Sequence, residues 1–307
     1  MPDGSDRVFI GVDWGTSNGR FMLIDDGRVI EERSAPGIKQ LGSAEAIEKA
    51  CFDTVGPWLI ENPSLDIVMA GMVGSNIGWH PAPYAMTPAC AQAAAVGAVR
   101  FTARGTDCII LGGVETIGPS GLPDVMRGEE TQIFGAAGAE SGLVCLPGTH
   151  SKWAWIEGGM IARFHTAMTG ELIDIIGRHS ILLHPSRAPH AQPGAAFRGG
   201  VTMARDNAVG IEVLLFSVRS RQIKGSLSNE EAEACLAGLC IGADIRSAIS
   251  IYQNISAVRL IGSPALTSLY SAALNCFSIA SRQIDGQQAV VDGLRVAYQM
   301  LTPKSAT

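Results

Sequence analysis

The sequence predicts an α/β protein built by duplication of one strand-rich unit. Three observations carry that prediction. An apolar strand–turn–strand meander at residues 8–30 (VFIGVDWGTSNGRFMLIDDGRVI) is echoed at residues 143–161 (LVCLPGTHSKWAWIEGGMI). Each copy is followed by alternating helix-period and buried-strand segments, the order expected of α/β folds. The 307 residues are 47% hydrophobic and 17% charged, enough for two domains with substantial cores.

Residues 7–33 form the first meander, with Gly15-Thr16 at its first turn and Asp26-Gly27 at its second. A helix starts at Ser43, because Ile47, Cys51, Val55 and Trp58 recur at helical spacing on one face. Residues 66–74 (DIVMAGMVG) read as a buried strand opening into a glycine-rich loop. The proline-bearing stretch 79–88 reads as irregular, and residues 108–116 (CIILGGVET) as a further buried strand. A loop with Pro119, Gly121 and Pro123 leads to residues 126–139, where Gly128 gives way to a helix. The second meander follows directly, so a domain boundary between Gly138 and Gly142 divides residues 1–140 from 141–307.

In the second half, residues 169–180 (TGELIDIIGRHS) open a short helix. Residues 184–200, rich in Pro, Ala, Gly and His, read as a surface loop. Residues 230–252 form a long helix with Ala234, Gly238 and Gly242 four apart. That small-residue face suits either ordinary core packing or a crossing between two hinging domains. Residues 257–266 are a strand entering a Gly/Ser turn. Residues 281–301 read as a terminal helix with Val290, Leu294, Ala297 and Leu301 on one face, and its stretch 285–302 is expected to pack back on the first domain.

Composition narrows the partners. A net charge of −6 without a Lys/Arg block argues against nucleic acid. No apolar run reaches the roughly 18 residues of a membrane helix, and MPDGSDR at the start has no apolar signal core. Seven cysteines without a CxxC pair read as reduced thiols of a cytoplasmic protein, and the six histidines include no HExxH.

The chemistry gathers at the two Gly-Thr turns, whose glycines let backbone N–H groups approach phosphate oxygens. In the first, Gly15, Thr16, Ser17 and Asn18 follow Asp13, a strand-end carboxylate suited to Mg²⁺ or, alternatively, to capping the turn. In the second, Gly148, Thr149 and His150 offer phosphate contacts, and Lys152 could neutralise a transferred phosphoryl group. Facing each other, two such turns would grip a polyphosphate from both sides.

Glu129 and Glu130 stand at a predicted helix start, where a carboxylate could accept an alcohol's proton or simply complement the helix dipole. Ser75, Asn76 and Trp79 follow a buried strand and offer hydroxyl, amide and a flat apolar wall to a polyol. Thr169 and Glu171 begin another helix and complete the substrate-binding candidates. Among Arg20, Arg127 and Arg163 stands a partner for a substrate carboxylate, or a surface ion pair. Gly262 and Ser263 could seat adenine or ribose.

Five motifs in register, DWGTSNGR, AGMVGSNIGW, VMRGEETQ, PGTHSKW and MTGEL, resemble those of the 2-dehydro-3-deoxygalactonokinases, within the sugar-kinase, heat-shock protein 70 and actin superfamily. The resemblance implies two actin-like (ribonuclease H-like) lobes with a nucleotide cleft, ATP and Mg²⁺, and phosphorylation of a small sugar acid at O6 in galactonate breakdown. It places the catalytic base at Glu129, with Glu130 the near alternative, through likeness to the exopolyphosphatase GEE motif. Two departures stand out. The second turn lacks the acidic residue common in the superfamily, and Gly262-Ser263-Pro264 replaces a double glycine. Other keto-deoxy sugar acids, phosphohydrolysis and a non-catalytic ATP switch remain open on the residues alone, as does a homodimer.

Overall fold

The structure is a computed structural model that describes residues 8–183 and 192–302. The chain divides into two compact units. One holds the residues up to Ser141, Ile156–Arg163 and the stretch from Gly286; the other holds Gly142–Trp155 and Phe164–Asp285.

The first unit begins with the meander β1 (Phe9–Trp14), β2 (Asn18–Asp25) and β3 (Arg28–Pro36), then α1 (Ile38–Leu41), α2 (Ala44–Glu61) and β4 (Ile67–Gly71). It continues through β5 (Tyr84–Met86), α3 (Ala91–Val96), β6 (Val99–Ala103), β7 (Thr106–Ile110), β8 (Gly113–Ile117), β9 (Pro123–Met126) and α4 (Glu129–Ala136). Its main sheet has the order β3-β2-β1-β4-β7-β6, with β1, β4 and β7 parallel at the centre. Alternation along β1 decides both cores, since successive side chains of a strand point to opposite faces. Ile10, Val12 and Trp14 join a core with Ile47, Cys51, Val55 and Trp58 of α2. Phe9, from the other face, packs with Met22, Val68 and Ile109 against the chain's last helix.

The second unit runs β10 (Gly142–Leu146), β11 (Ser151–Glu157), β12 (Met160–Ala167), α5 (Thr169–His179), α6 (Ala195–Asp206), α7 (Ile211–Ile223) and α8 (Asn229–Tyr252). Then come β13 (Ala257–Gly262), α9 (Pro264–Cys276) and β14 (Ala280–Asp285), in a sheet of order β12-β11-β10-β13-β14. The last helix, α10 (Gly286–Leu301), returns to the first unit, burying Val290, Leu294, Ala297 and Leu301.

Several expectations need correction. Residues 281–285 are not helical: they pair parallel with β13, and only then does α10 begin. The surface loop expected at 184–200 ends early, because 195–200 are the first turns of α6; residues 184–191 lie outside the described residues. Tyr84–Met86, inside the proline-bearing stretch, pairs as a short strand with β8. The small-residue stripe of α8 is a contact within the second unit, not a crossing between units. A Cβ at Gly238 would lie 2.0 Å from the Phe197 carbonyl, and one at Gly200 would lie 2.2 Å from that of Cys235, so α6 and α8 touch backbone to backbone. Helix α8, with 24 residues, is also long and apolar enough to match a bilayer span, although its charged residues break the run. It is nonetheless a core helix, capped by a Ser228–Glu231 capping box and buried on α6 and the sheet.

Candidate functional site

In the first unit the turn after β1 is held from behind. The Ile38 N–H donates to the Gly15 carbonyl, Lys39 N–H to Thr16 and Gly37 N–H to Ser17. Gly37 has to be glycine, since a Cβ there would lie 2.3 Å from the Thr16 oxygen and the Ser17 carbonyl carbon. In a trans peptide the N–H points opposite to the C=O. With these carbonyls turned toward α1, the amides of Thr16, Ser17 and Asn18 face the other way, and all three residues are exposed. The local backbone is thus a small array of outward N–H donors.

Asp13 sits at the end of β1, cross-strand from Arg20, whose Nη2 lies 3.9 Å from its Oδ2. About a third of the aspartate side chain is exposed, at 32%. Desolvation by the surrounding strand ends still raises its pKa, Arg20 opposes that, and the negative charge of Glu129 adds to it. Three chain segments converge here. Gly71 ends β4 at φ 90°, where a Cβ would lie 2.8 Å from the Trp14 oxygen, and Gly128, at φ 104° just before α4, is packed so close that a Cβ on it would lie 3.2 Å from the Gly71 Cα.

The two glutamates of α4 differ. Glu129 is half-buried and accepts the Arg127 N–H through Oε2 at 3.0 Å. Glu130 is buried, at 1% exposure, and accepts the Gly128 N–H at 2.7 and 2.9 Å. Burial, followed by the charge of Glu129, pushes its carboxyl up to about 8. It lines a cavity of about 10 Å³ with Ala94, Leu111, Phe134, Gly293 and Ala297, room for roughly one water.

Several sequence-predicted residues turn out to be committed to the fold. Trp79, expected as a pocket wall, is 6% exposed and packed edge-on against Phe52 and Phe101 in the first core. Its indole is the largest apolar group of its loop, so burial claims it. Arg127 spends its guanidinium on Tyr84 Oη (3.2 Å) and the Ala82 carbonyl (2.6 Å) and stacks over the Tyr84 ring at 4.2 Å. The Ser75 hydroxyl is buried and donates to the Met72 carbonyl at 2.8 Å, leaving Asn76 as the exposed polar group of that turn. Arg163 is exposed and Arg20 half-buried.

In the second unit the turn Gly148–His150 follows β10 and leans on the start of α5. The Glu171 N–H donates to the Thr149 carbonyl at 2.9 Å, and His150 Nε2 lies 2.5 Å from Glu171 Oε2. Gly170 permits this approach, because a Cβ there would be 2.4 Å from the Gly148 oxygen. Thr149 and His150 are exposed, whereas Ser151 and Lys152 are buried in β11. The Gly262-Ser263 turn closes β13, which runs parallel to β10, and a Cβ on Gly262 would lie 3.7 Å from the Pro147 oxygen. Thr169 points inward and donates to Asp244 at 2.8 Å. Asp244 and Tyr270 were missed by the sequence reading, although an acid inside the buried run Cys235–Ile245 signals a polar partner. Among the described residues no group of three or more His, Cys, Asp or Glu could hold a metal ion by itself.

Similarity to known proteins fits this geometry. The sequence matches the 2-keto-3-deoxy-galactonokinase family over residues 13–297. A protein of Rhizobium meliloti (strain 1021), named as a probable 2-dehydro-3-deoxygalactonokinase, is 38% identical over 306 residues, covering 96% of this chain and 98% of that one. The 2-dehydro-3-deoxygalactonokinase of Escherichia coli (strain K12) is 35% identical over 290 residues, covering 94% and 96%. A crystal structure from Sinorhizobium meliloti, assigned to the same enzyme, superposes with a TM-score of 0.87 at 37% identity, covering 96% of this chain and 99% of that one. At the level of fold alone, the activator of 2-hydroxyisocaproyl-CoA dehydratase from Clostridium difficile aligns over 96% of each chain at TM-score 0.52 and 13% identity. The architecture is the actin-like α/β fold of sugar kinases and ATPases, and the chain belongs to the 2-keto-3-deoxy-galactonokinase family.

Proposed function

We propose that this chain is a kinase that transfers the γ-phosphoryl group of ATP to O6 of 2-dehydro-3-deoxy-D-galactonate, a cytoplasmic step of galactonate breakdown. The observation that carries the reading is the convergence of Asp13, Glu129 and the outward amides of residues 16–18 at one end of the first unit's sheet. The names of the relatives supply the substrate.

Glu129 is the base. Its half-exposed carboxylate, anchored through the Arg127 N–H, accepts the O6 proton as that oxygen bonds to phosphorus and the bond to ADP breaks. Glu130, buried and held by Gly128, sets the start of α4 and holds the geometry of its neighbour. Amides at Thr16–Asn18 and in the Gly148–Thr149 turn bind phosphate oxygens, Lys152 lends its charge from within β11, and Gly262-Ser263 takes the nucleoside. Arg20 or Arg163, with Asn76, recognises the sugar acid.

Asp13 fits a magnesium ion. Mg²⁺ keeps several waters and takes one or two carboxylates plus substrate phosphates, and the partly exposed Asp13, with Glu129 close by, offers that rather than a full protein cage. When bound, the ion would neutralise charge developing on the phosphates.

The test is ADP release with and without sugar acid. A kinase of this design idles on ATP alone and turns over with 2-dehydro-3-deoxygalactonate. Rapid hydrolysis without sugar acid would refute the kinase reading. Equal rates with the gluconate epimer would refute the galactonate assignment and spare the chemistry.

A further inference from the structure

We propose that Asp244 and Tyr270 are positioning residues for the Gly148–Thr149 turn, tying both of its supports to one buried carboxylate. The inference rests on the proposed phosphate role of that turn and extends it to residues outside it.

Asp244 lies about two-thirds of the way along α8 and is only 5% exposed. Three neutral donors converge on it: the Trp153 indole N–H at 2.8 Å on Oδ1, and the Thr169 and Tyr270 hydroxyls at 2.8 and 2.7 Å on Oδ2. Tyr270 has one proton and gives it to Asp244. The 2.7 Å contact between Ser151 and Tyr270 therefore has the serine hydroxyl as donor. The chain of bonds runs Ser151 to Tyr270 to Asp244, with Thr169 and Trp153 as further donors. Burial raises the Tyr270 pKa well above its ordinary value, so the phenol keeps the proton that this chain requires.

The elements so gathered are the ones that bound the turn. Ser151 is the residue after His150, where the turn re-enters the sheet as β11. Thr169 is the first residue of α5, and the next two residues form the wall on which the turn leans. Gly170 lies beneath Gly148, and the Glu171 N–H holds the Thr149 carbonyl. Both supports, the exit strand and the flanking helix start, are thus pinned to the same two carboxylate oxygens. Packing alone would not call for an acid, since burying a carboxylate among neutral donors costs more than an apolar side chain of equal size. Burial raises the Asp244 pKa and its three hydrogen bonds oppose that rise; what its two oxygens offer is acceptance from three donors at once, which neither an amide nor an apolar group provides.

The test uses the full chain with Tyr270→Phe, which keeps the ring and its packing but cuts the link from Ser151 to Asp244. Hydrogen exchange is read on a peptide spanning residues 147–153, alongside steady-state kinetics. The expected result is about tenfold faster exchange in that peptide, the effect of losing one buried hydrogen bond. The KM for ATP should rise about five- to tenfold by the same reasoning, with the KM for the sugar acid within about twofold. Unchanged exchange and unchanged ATP KM, even with a lowered melting temperature, would overturn the proposal and leave a merely structural network. Faster exchange with an unchanged ATP KM would support the positioning and instead refute the phosphate role of the turn. Asp244→Asn, which places an amide donor among donors, should show the larger effect in both readouts. If that variant fails to fold, Tyr270→Phe decides alone.

Discussion

Helix α4, which begins at Glu129, packs closely on α10 at two glycines, Gly135 and Gly293, and Gly293→Ala tests whether that seat sets the carboxylate. A Cβ at Gly293 would lie 2.0 Å from the Thr131 carbonyl oxygen, and one at Gly135 would lie 2.1 Å from that of Ala289. Carbon–oxygen contacts between packed backbones settle near 3.3 Å, so the alanine has to drive α4 outward by about 1.3 Å. Misplacing a reacting group by about 1 Å can cost on the order of 100-fold in rate. Stability should change much less. Overpacking costs about 1–3 kcal/mol, and replacing a helical glycine by alanine returns up to about 1 kcal/mol. The expected result is therefore a kcat lower by about two orders of magnitude with a net destabilisation of roughly 0–3 kcal/mol. Coupled ADP-release kinetics and urea melts would measure both. Gly199→Ala is the control, because its added methyl meets nothing within 4 Å on α6. It should keep full activity and gain up to about 1 kcal/mol. A Gly293→Ala enzyme with kcat within about twofold of the parent would refute the reasoning, since it would show that α4 tolerates displacement.

Further outcomes follow from the same geometry. Glu129→Gln should lower kcat by about 10²–10⁴-fold and leave the circular dichroism spectrum intact, as expected for a lost base. Asp13→Asn should likewise abolish turnover without unfolding; parent-like activity at saturating Mg²⁺ would remove the metal role. Glu130 carries a stability signature. Its carboxyl is pushed from 4.5 to about 8, so the folded state holds that proton more tightly than the unfolded chain does. Stability from this group is present below pH 4.5 and lost as the pH rises through about 8. Glu130→Gln should flatten that decline in urea melts compared at about pH 5 and about pH 9, and parallel profiles would contradict it. Among the thiols, burial pushes Cys108 and Cys240 up to about 12 and raises Cys51, Cys145 and Cys235. A thiol reagent should therefore label the half-exposed Cys90 and Cys276 quickly in the native protein and the other five only after denaturation.

The elements that the sequence disclosed are those whose signal is local. Ile47, Cys51, Val55 and Trp58 recur every three or four residues, and all four are buried in α2. The Asp26-Gly27 and Gly158-Gly159 turns show the positive φ angles that such pairs adopt in tight hairpins. Where the local pattern is ambiguous, it misleads. Residues 281–285 carry too few apolar positions to distinguish strand from helix, and their pairing with β13 settled the matter. Residues 195–200 looked like loop because their glycines are poor helix formers, yet Gly200 is what lets α6 touch α8. In the candidate site, Trp79, Arg127 and Thr169 look in the sequence like groups available to a ligand. Each is satisfied from within, by Phe52 and Phe101, by Tyr84 and Ala82, and by Asp244.

By itself the sequence determined that the chain is a duplicated α/β protein, where its Gly-Thr turns fall and which family its motifs belong to. Those properties live in short stretches, where periodicity, turn chemistry and motif order act over a few residues. Only the tertiary structure decided which polar groups remain available. It brought Glu129 to Asp13 from 116 positions away, and it buried Glu130 next door. It also set Asp244 under a turn nearly a hundred residues earlier. The physical reason is that burial, hydrogen-bond satisfaction and mutual charge depend on distances through space, and no local pattern along the chain encodes them.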